Sequence, residues 1–158
     1  MQIKLKPVID FGKMPIANGF LMPDQYGSEY FYRMVLGYDP ATHLSVGRAL
    51  APLRDEGVLI IGSGLSYHNL RKFGPAGREA SKTFDDWLQY TVLATPGKRE
   101  SRLLAWRDAP AARDAHPQAD HLIPLMVAVG AAENESATVI YHEEDLFNGV
   151  TASSFRFG

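Results

Sequence analysis

The sequence predicts an α/β fold: a partial open sheet flanked by helices and completed by self-association. Three observations carry this expectation. Val58-Leu59-Ile60-Ile61 is an apolar run rich in β-branched residues and closed by Gly62-Ser63-Gly64, the pattern of a buried strand running into a turn. Thr138-Val139-Ile140-Tyr141-His142 and Ser153-Ser154-Phe155-Arg156-Phe157 read as two further strands. The segments between them carry the apolar spacing and end signals of helices. So few strands leave free edges and an uncovered apolar face, which a second copy of the chain can cover.

Residues 1–38 form a first segment, distinct in texture from 39–158. It holds Pro7, Pro15 and Pro23 and an aromatic run through Tyr26, Tyr30, Phe31, Tyr32 and Tyr38, and reads as short extended pieces, 3–9 and 30–36, joined by turns. Asp39-Pro40 then opens a helix, with an acid at the N-cap and proline at the first helical position. Leu44, Leu50 and Leu53, with Val46 and Ala49, give it an apolar face, and Gly57 closes it. Past the strand at 58–61, residues 68–73 form a short helix or a loop, and Gly74-Pro75-Ala76-Gly77 a surface turn. Ser81 or Thr83 caps a helix carrying Phe84, Trp87, Leu88 and Val92, which ends before Pro96-Gly97. A helix over 99–106 places Leu103 and Trp106 on one face, and 108–116 is connector. The last helix begins near Asp120 and runs through Leu122 to Val129, with Pro124 tolerated in its first turn.

Composition excludes several classes. With 46% hydrophobic and 22% charged residues among 158, and no apolar run near the ~20 residues that span a bilayer, the expectation is one soluble domain with no membrane partner. A net charge of −2 and scattered Lys and Arg offer no field for a phosphate backbone, so nucleic acid is excluded as a partner. The chain has no cysteine, hence no thiolate nucleophile and no Cys-type metal site, and any metal must be held by His, Asp or Glu. Residues 1–6 lack the apolar core of a secretory signal, which sets a cytoplasmic expectation.

His68 is the first candidate, because the Gly62-Ser63-Gly64 break delivers an imidazole to the carboxyl end of a strand, where open α/β sheets place their chemistry. Asn69 and Arg71 stand beside it as a neutral donor and a fixed cation. His121, at the edge of the last helix with Asp120 beside it, is a second imidazole able to converge on the same ion. His116 lies five residues earlier with Pro117 between, off the spacing of a one-face helical metal pair. His142-Glu143-Glu144-Asp145 reads as a solvated turn after a strand, and His43 as a surface residue. The Gly62-Ser63-Gly64 stretch is neither a dinucleotide fingerprint nor a nucleophile elbow, lacking the third glycine of the one and the length of the other.

Four stretches of 39–158 carry a resemblance to a known family: 47–57, 58–71, Phe84-Asp85-Asp86-Trp87-Leu88, and His116-Pro117 through His121-Leu122-Ile123-Pro124-Leu125. They resemble the C-terminal half of the class III extradiol ring-cleavage dioxygenases, in the DOPA 4,5-dioxygenase-like branch. The resemblance implies a non-haem divalent metal, Fe(II) or Zn(II), and catecholic substrates cleaved with O₂. It implies that His68 is an acid–base or metal-site residue, that His121 is a metal ligand, and that His116 lies in the substrate pocket. Members carry two further metal-site histidines in an N-terminal half, whereas no histidine precedes His43 here. Val8 through Leu21 is similar instead to the N-terminal zinc-binding region of sugar methyltransferases, without its cysteines. The chain thus reads as a join or truncation. Two expectations follow: a dioxygenase-like domain, inactive on its own for want of two ligands, or a non-catalytic dimerising module.

Overall fold

The computed structural model describes residues 6–15 and 22–158. Residues 3–5 of the first expected extended piece, and residues 16–21 of the methyltransferase-like stretch, lie outside the described residues. The chain divides into two compact units, Met1–Asp39 and Pro40–Gly158.

The first unit is an antiparallel hairpin of β1 (Lys6–Pro15) and β2 (Phe31–Tyr38). Its register slips between Asp10 and Lys13, where Gly12 adopts a φ of 71°. Asp10 ties the irregularity down: its carboxylate accepts from Gly12 N at 2.9 Å and from Arg33 Nη2 at 2.6 Å.

The second unit runs α1 (Pro40–Leu50), α2 (Pro52–Asp55), α3 (Arg78–Val92), α4 (Pro96–Leu104), α5 (Ala112–Ala115) and α6 (Ile123–Ala131), then a hairpin of β3 (Ala137–Leu146) and β4 (Val150–Phe157). Pro40 starts α1, and Gly57, with φ of 83°, lies just past α2, as the sequence signals indicate. The helix expected to end before Pro96-Gly97 stops at Val92, and the one expected over 99–106 is α4, which begins earlier, with Pro96 as its first residue. The expected connector over 108–116 contains α5, entered through Ala111 in the left-handed region at φ 55°.

Helix and strand are mixed, as expected for an α/β chain, but the sheet differs. Both sheets are two-stranded and antiparallel, and the expected strand over Val58–Ile61 belongs to neither. Leu59 and Ile61 are 80% and 76% exposed. The reason is the absence of a neighbour: an apolar β-branched run becomes a strand only beside another strand, and no described strand pairs with it.

The core gathers Leu44, Phe84, Leu88, Val92, Leu103, Trp106, Leu122, Met126 and Val150, all buried. Leu103, near the end of α4, and Trp106, in the turn that follows it, are both buried, so the helix expected over 99–106 stops short of Trp106. α1 crosses α6 at two glycines: a Cβ built on Gly47 would lie 2.7 Å from Gly130 Cα, and one on Gly130 would strike the Leu44 carbonyl oxygen. Gly130→Ala is therefore expected to lower unfolding free energy by about 1–3 kcal/mol, read from urea denaturation. A neutral result would mean the helices cross farther apart than this.

Candidate metal centre

His68 reaches its position on a locked loop. Its own N donates to Ala115 O at 2.9 Å. On the preceding side Ser66 O lies 2.9 Å from His116 Nε2, and Tyr67, fully buried, donates its hydroxyl to Lys72 O at 2.9 Å. On the following side Asn69 accepts from Arg71 N at 3.1 Å through Oδ1 and donates to Asp114 O at 2.7 Å through Nδ2. Four consecutive residues are thereby fixed to the α5 region and to the Leu70–Lys72 turn.

His121 sits in the turn that enters α6, whose first bonds run from Leu122 N and Ile123 N to Ala119 O. The two glycines of Gly62-Ser63-Gly64 explain how the chain passes so close to that turn. Neither serves a left-handed conformation; each serves space. A Cβ on Gly62 would lie 2.5 Å from Pro124 O, and one on Gly64 would strike His121 O.

The structure brings His68 and His121 together: their rings stack, with centroids 3.5 Å apart and planes 13° from parallel. Asp120 Oδ2 stands 3.9 Å from His68 Nδ1 and 4.0 Å from His121 Nε2, near both rings and hydrogen-bonded to neither. These three residues can each present one ligand atom so that all lie within 4.8 Å, and they are the one such His/Asp/Glu group among the described residues. Burial first, and then the adjacent His121 ring, push the His68 pKa below its ordinary value, with Asp120 opposing. His68 is thereby neutral at neutral pH.

Two imidazoles and a carboxylate are donors suited to a non-haem divalent ion, and His121 Nδ1, buried without a hydrogen-bond partner, is one ring nitrogen the protein leaves unused. The stacking limits how both rings can serve. Near-parallel stacked rings do not aim their in-plane nitrogen lone pairs at one point. As placed, one ring can bind in-plane while the other stands alongside.

His116 is the third histidine that the sequence singles out. It is fully buried, its ring edge-on to Phe84 and Trp106 at centroid distances of 5.1 and 6.1 Å. Since Nε2 faces a carbonyl it must donate, so neutral Nδ1 is bare, buried and unpartnered. Burial pushes the His116 pKa down to about 4.

One constellation escaped the sequence reading. Asp85, 1% exposed, accepts through Oδ2 from Gln89 Nε2 at 2.8 Å and Ser153 Oγ at 2.7 Å, with His142 Nδ1 3.4 Å away. His142 is thus tied to β4 and α3, where the sequence suggested only a solvated turn. The signal was available: Ser81, Asp85, Leu88 and Val92 follow helical spacing on one face and are all buried, while Asp86 pairs outward with Lys82. Asp85→Ala is expected to cost about 1.5–3 kcal/mol, the range for hydrogen bonds to a charged group, because Ser153 and Gln89 lose their shared acceptor. Thermal unfolding monitored by circular dichroism measures this; an unchanged midpoint would show that water replaces the carboxylate.

Residues 32–158 match the family model described as LigB, the catalytic subunit of aromatic ring-opening dioxygenase. The chain is similar to a 4,5-DOPA dioxygenase extradiol of Beta vulgaris, 42% identical over 111 residues that cover 68% of this chain and 41% of that protein. A protein of the same name from Mirabilis jalapa is 38% identical over 123 residues, covering 75% and 45% respectively. A crystal structure of an uncharacterised protein from Escherichia coli K12 superposes with a TM-score of 0.65 at 25% identity, over 77% of this chain and 51% of that one. The chain spans less than half the length of these curated relatives. The match starts at residue 32, within β2, earlier than the boundary at 39 that the sequence motifs suggested. This chain belongs to the LigB family of aromatic ring-opening dioxygenases.

Proposed function

We propose that the Pro40–Gly158 unit supplies part of an extradiol dioxygenase centre: His121 and Asp120 hold a non-haem divalent metal, Fe(II) or Zn(II), and His68 acts beside it as acid–base for a catecholic substrate. The single observation that supports this most is the stacked His68–His121 pair with Asp120 lying about 4 Å from both. Such a metal, when bound, supplies Lewis acidity and open positions for catecholate and O₂. His68, kept neutral by burial, takes the proton of a substrate hydroxyl through a ring nitrogen; one face of its ring lies against His121 and its backbone is fixed on both sides, so the ring is held ready for that transfer. His116 holds the loop through Ser66 O, so its part is to position His68.

Two donors from this unit, His121 and Asp120, leave the coordination short of what the family resemblance implies, and of the other histidines His116 and His142 are engaged elsewhere. The reading is therefore that the chain alone binds metal and does not turn over. The test is anaerobic titration with Fe(II), followed by a catechol and air. Expected are one bound equivalent of metal and no yellow ring-fission product from the chain alone. Absence of stoichiometric metal from a folded sample would remove the reading. The alternative, a non-catalytic module that self-associates, draws its support from the exposed Leu59 and Ile61.

A further inference from the structure

Asp85 is a carboxylate that the fold buries without giving it a Lys or Arg. It stands on α3, 1% exposed, and among the described residues its one ionic neighbour is His142. Burying such a charge is costly, and a neutral pair would join α3 to β4 at lower cost. Oδ1 is buried with no hydrogen-bond partner, so whatever Asp85 does it does through Oδ2. There it accepts from Ser153 Oγ at 2.7 Å and from Gln89 Nε2 at 2.8 Å. A charged acceptor makes the shorter and stronger bond. It also commits the single hydroxyl proton of Ser153, and with it the rotamer of that side chain.

Ser153 also reaches the loop that carries His68. Its backbone N donates to Ser66 Oγ at 3.2 Å, and the Ser66 carbonyl oxygen lies 2.9 Å from His116 Nε2. Ser66 is thus gripped at both polar ends, two residues before His68. The other ties of this loop to the rest of the unit run to one short stretch. Ala115 O accepts the His68 amide, Asp114 O accepts from Asn69 Nδ2, and Asp114 Oδ1 accepts from Lys72 Nζ. Together with His116 these all belong to 114–116, so a shift of that stretch would carry His68 with it. The Ser66 hydroxyl ties the loop to a different element, and Asp85 fixes the residue that makes the tie. His68 needs such a second reference because the ring it stacks on, His121, lies outside 114–116.

We propose that Asp85 is a positioning residue of the candidate metal centre, holding His68 against His121 through Ser153 and Ser66. It is bonded to neither ring and acts by fixing the strand residue from which the loop hangs. The proposal rests on the reading of His68 as part of that centre, yet its effect is visible without metal. A role confined to tying α3 to β4 is the competing account. That account predicts a loss of stability with no effect at His68.

The test takes the whole chain without metal at one neutral pH and reads two NMR signals of His68. One is the displacement of its ring protons by the stacked His121 ring, and the other is the exchange rate of its amide, bonded to Ala115 O. Asp85→Ala should remove most of the ring displacement and speed exchange at His68 at least about tenfold more than at the amides of α1. Ser66→Ala removes the far end of the same line and should do likewise. Adding Asp85→Ala to Ser66→Ala should then change His68 no further, since residues acting in series are not additive. If Asp85→Ala does not fold, Ser153→Ala takes its place in both arms, because it cuts the line between them. A lowered thermal midpoint in Asp85→Ala with both His68 signals unmoved would overturn the proposal, as would an effect of undiminished size in the Ser66→Ala background. Metal binding is measured separately: coupling in a chain that binds no metal removes the site reading alone, and metal binding with His68 indifferent to Asp85 removes this proposal alone.

Discussion

His121→Ala is expected to weaken binding of Zn(II) or Fe(II) by roughly 100-fold or more, while His68→Ala weakens it by less than about tenfold. The asymmetry follows from the stack: rings 3.5 Å apart and 13° from parallel cannot both aim an in-plane lone pair at one ion. His121 is assigned the bond because its Nδ1 is buried with no other partner and its ring follows Asp120 directly in the chain. Asp120→Asn should fall between the two, since it removes charge and keeps an oxygen donor. Competition against a chromophoric chelator under anaerobic conditions gives all three numbers. Equal losses for His68 and His121 would mean that the rings rotate apart to share the ion, and no loss for His121 would remove it from the site.

How much of this was legible in the sequence depends on whether a signal was local. Asp39-Pro40 opens α1 and Gly57 follows α2, since caps act within a few residues of themselves. The alternation in Thr138–His142 and Ser153–Phe157 falls within β3 and β4, which are joined through Phe147, Asn148 and Gly149, all at positive φ. Val58–Ile61 was not legible, because its apolar character describes a strand with neighbours, and pairing is a non-local property. The convergence of His68 and His121, 53 positions apart, depends on Gly62 and Gly64 permitting close approach to the turn before α6. Their role as spacers is visible only when the other backbone is in view. His116 is the most enclosed of the three candidate histidines, and the sequence does not show it, since the Phe84 and Trp106 that cover it lie on other elements.

That enclosure makes acid the second large lever on this protein. His116 in the fold protonates at about 4, against an ordinary value of 6.5, because its bare Nδ1 would become a buried N–H with nothing to receive it. Between those values the unfolded chain binds the proton and the folded chain does not, so stability is full above about pH 6.5 and falls as the solution is acidified toward 4. At about 1.36 kcal/mol per pKa unit, the loss from this residue reaches about 3 kcal/mol by the lower limit. Urea denaturation at pH 7, 5.5 and 4.5 should show it. His116→Gln retains a donor for Ser66 O but cannot titrate, so it should start less stable at pH 7 and decline less steeply, the two curves converging near pH 4.5. Parallel curves would place the acid sensitivity in other groups and leave His116 as packing alone.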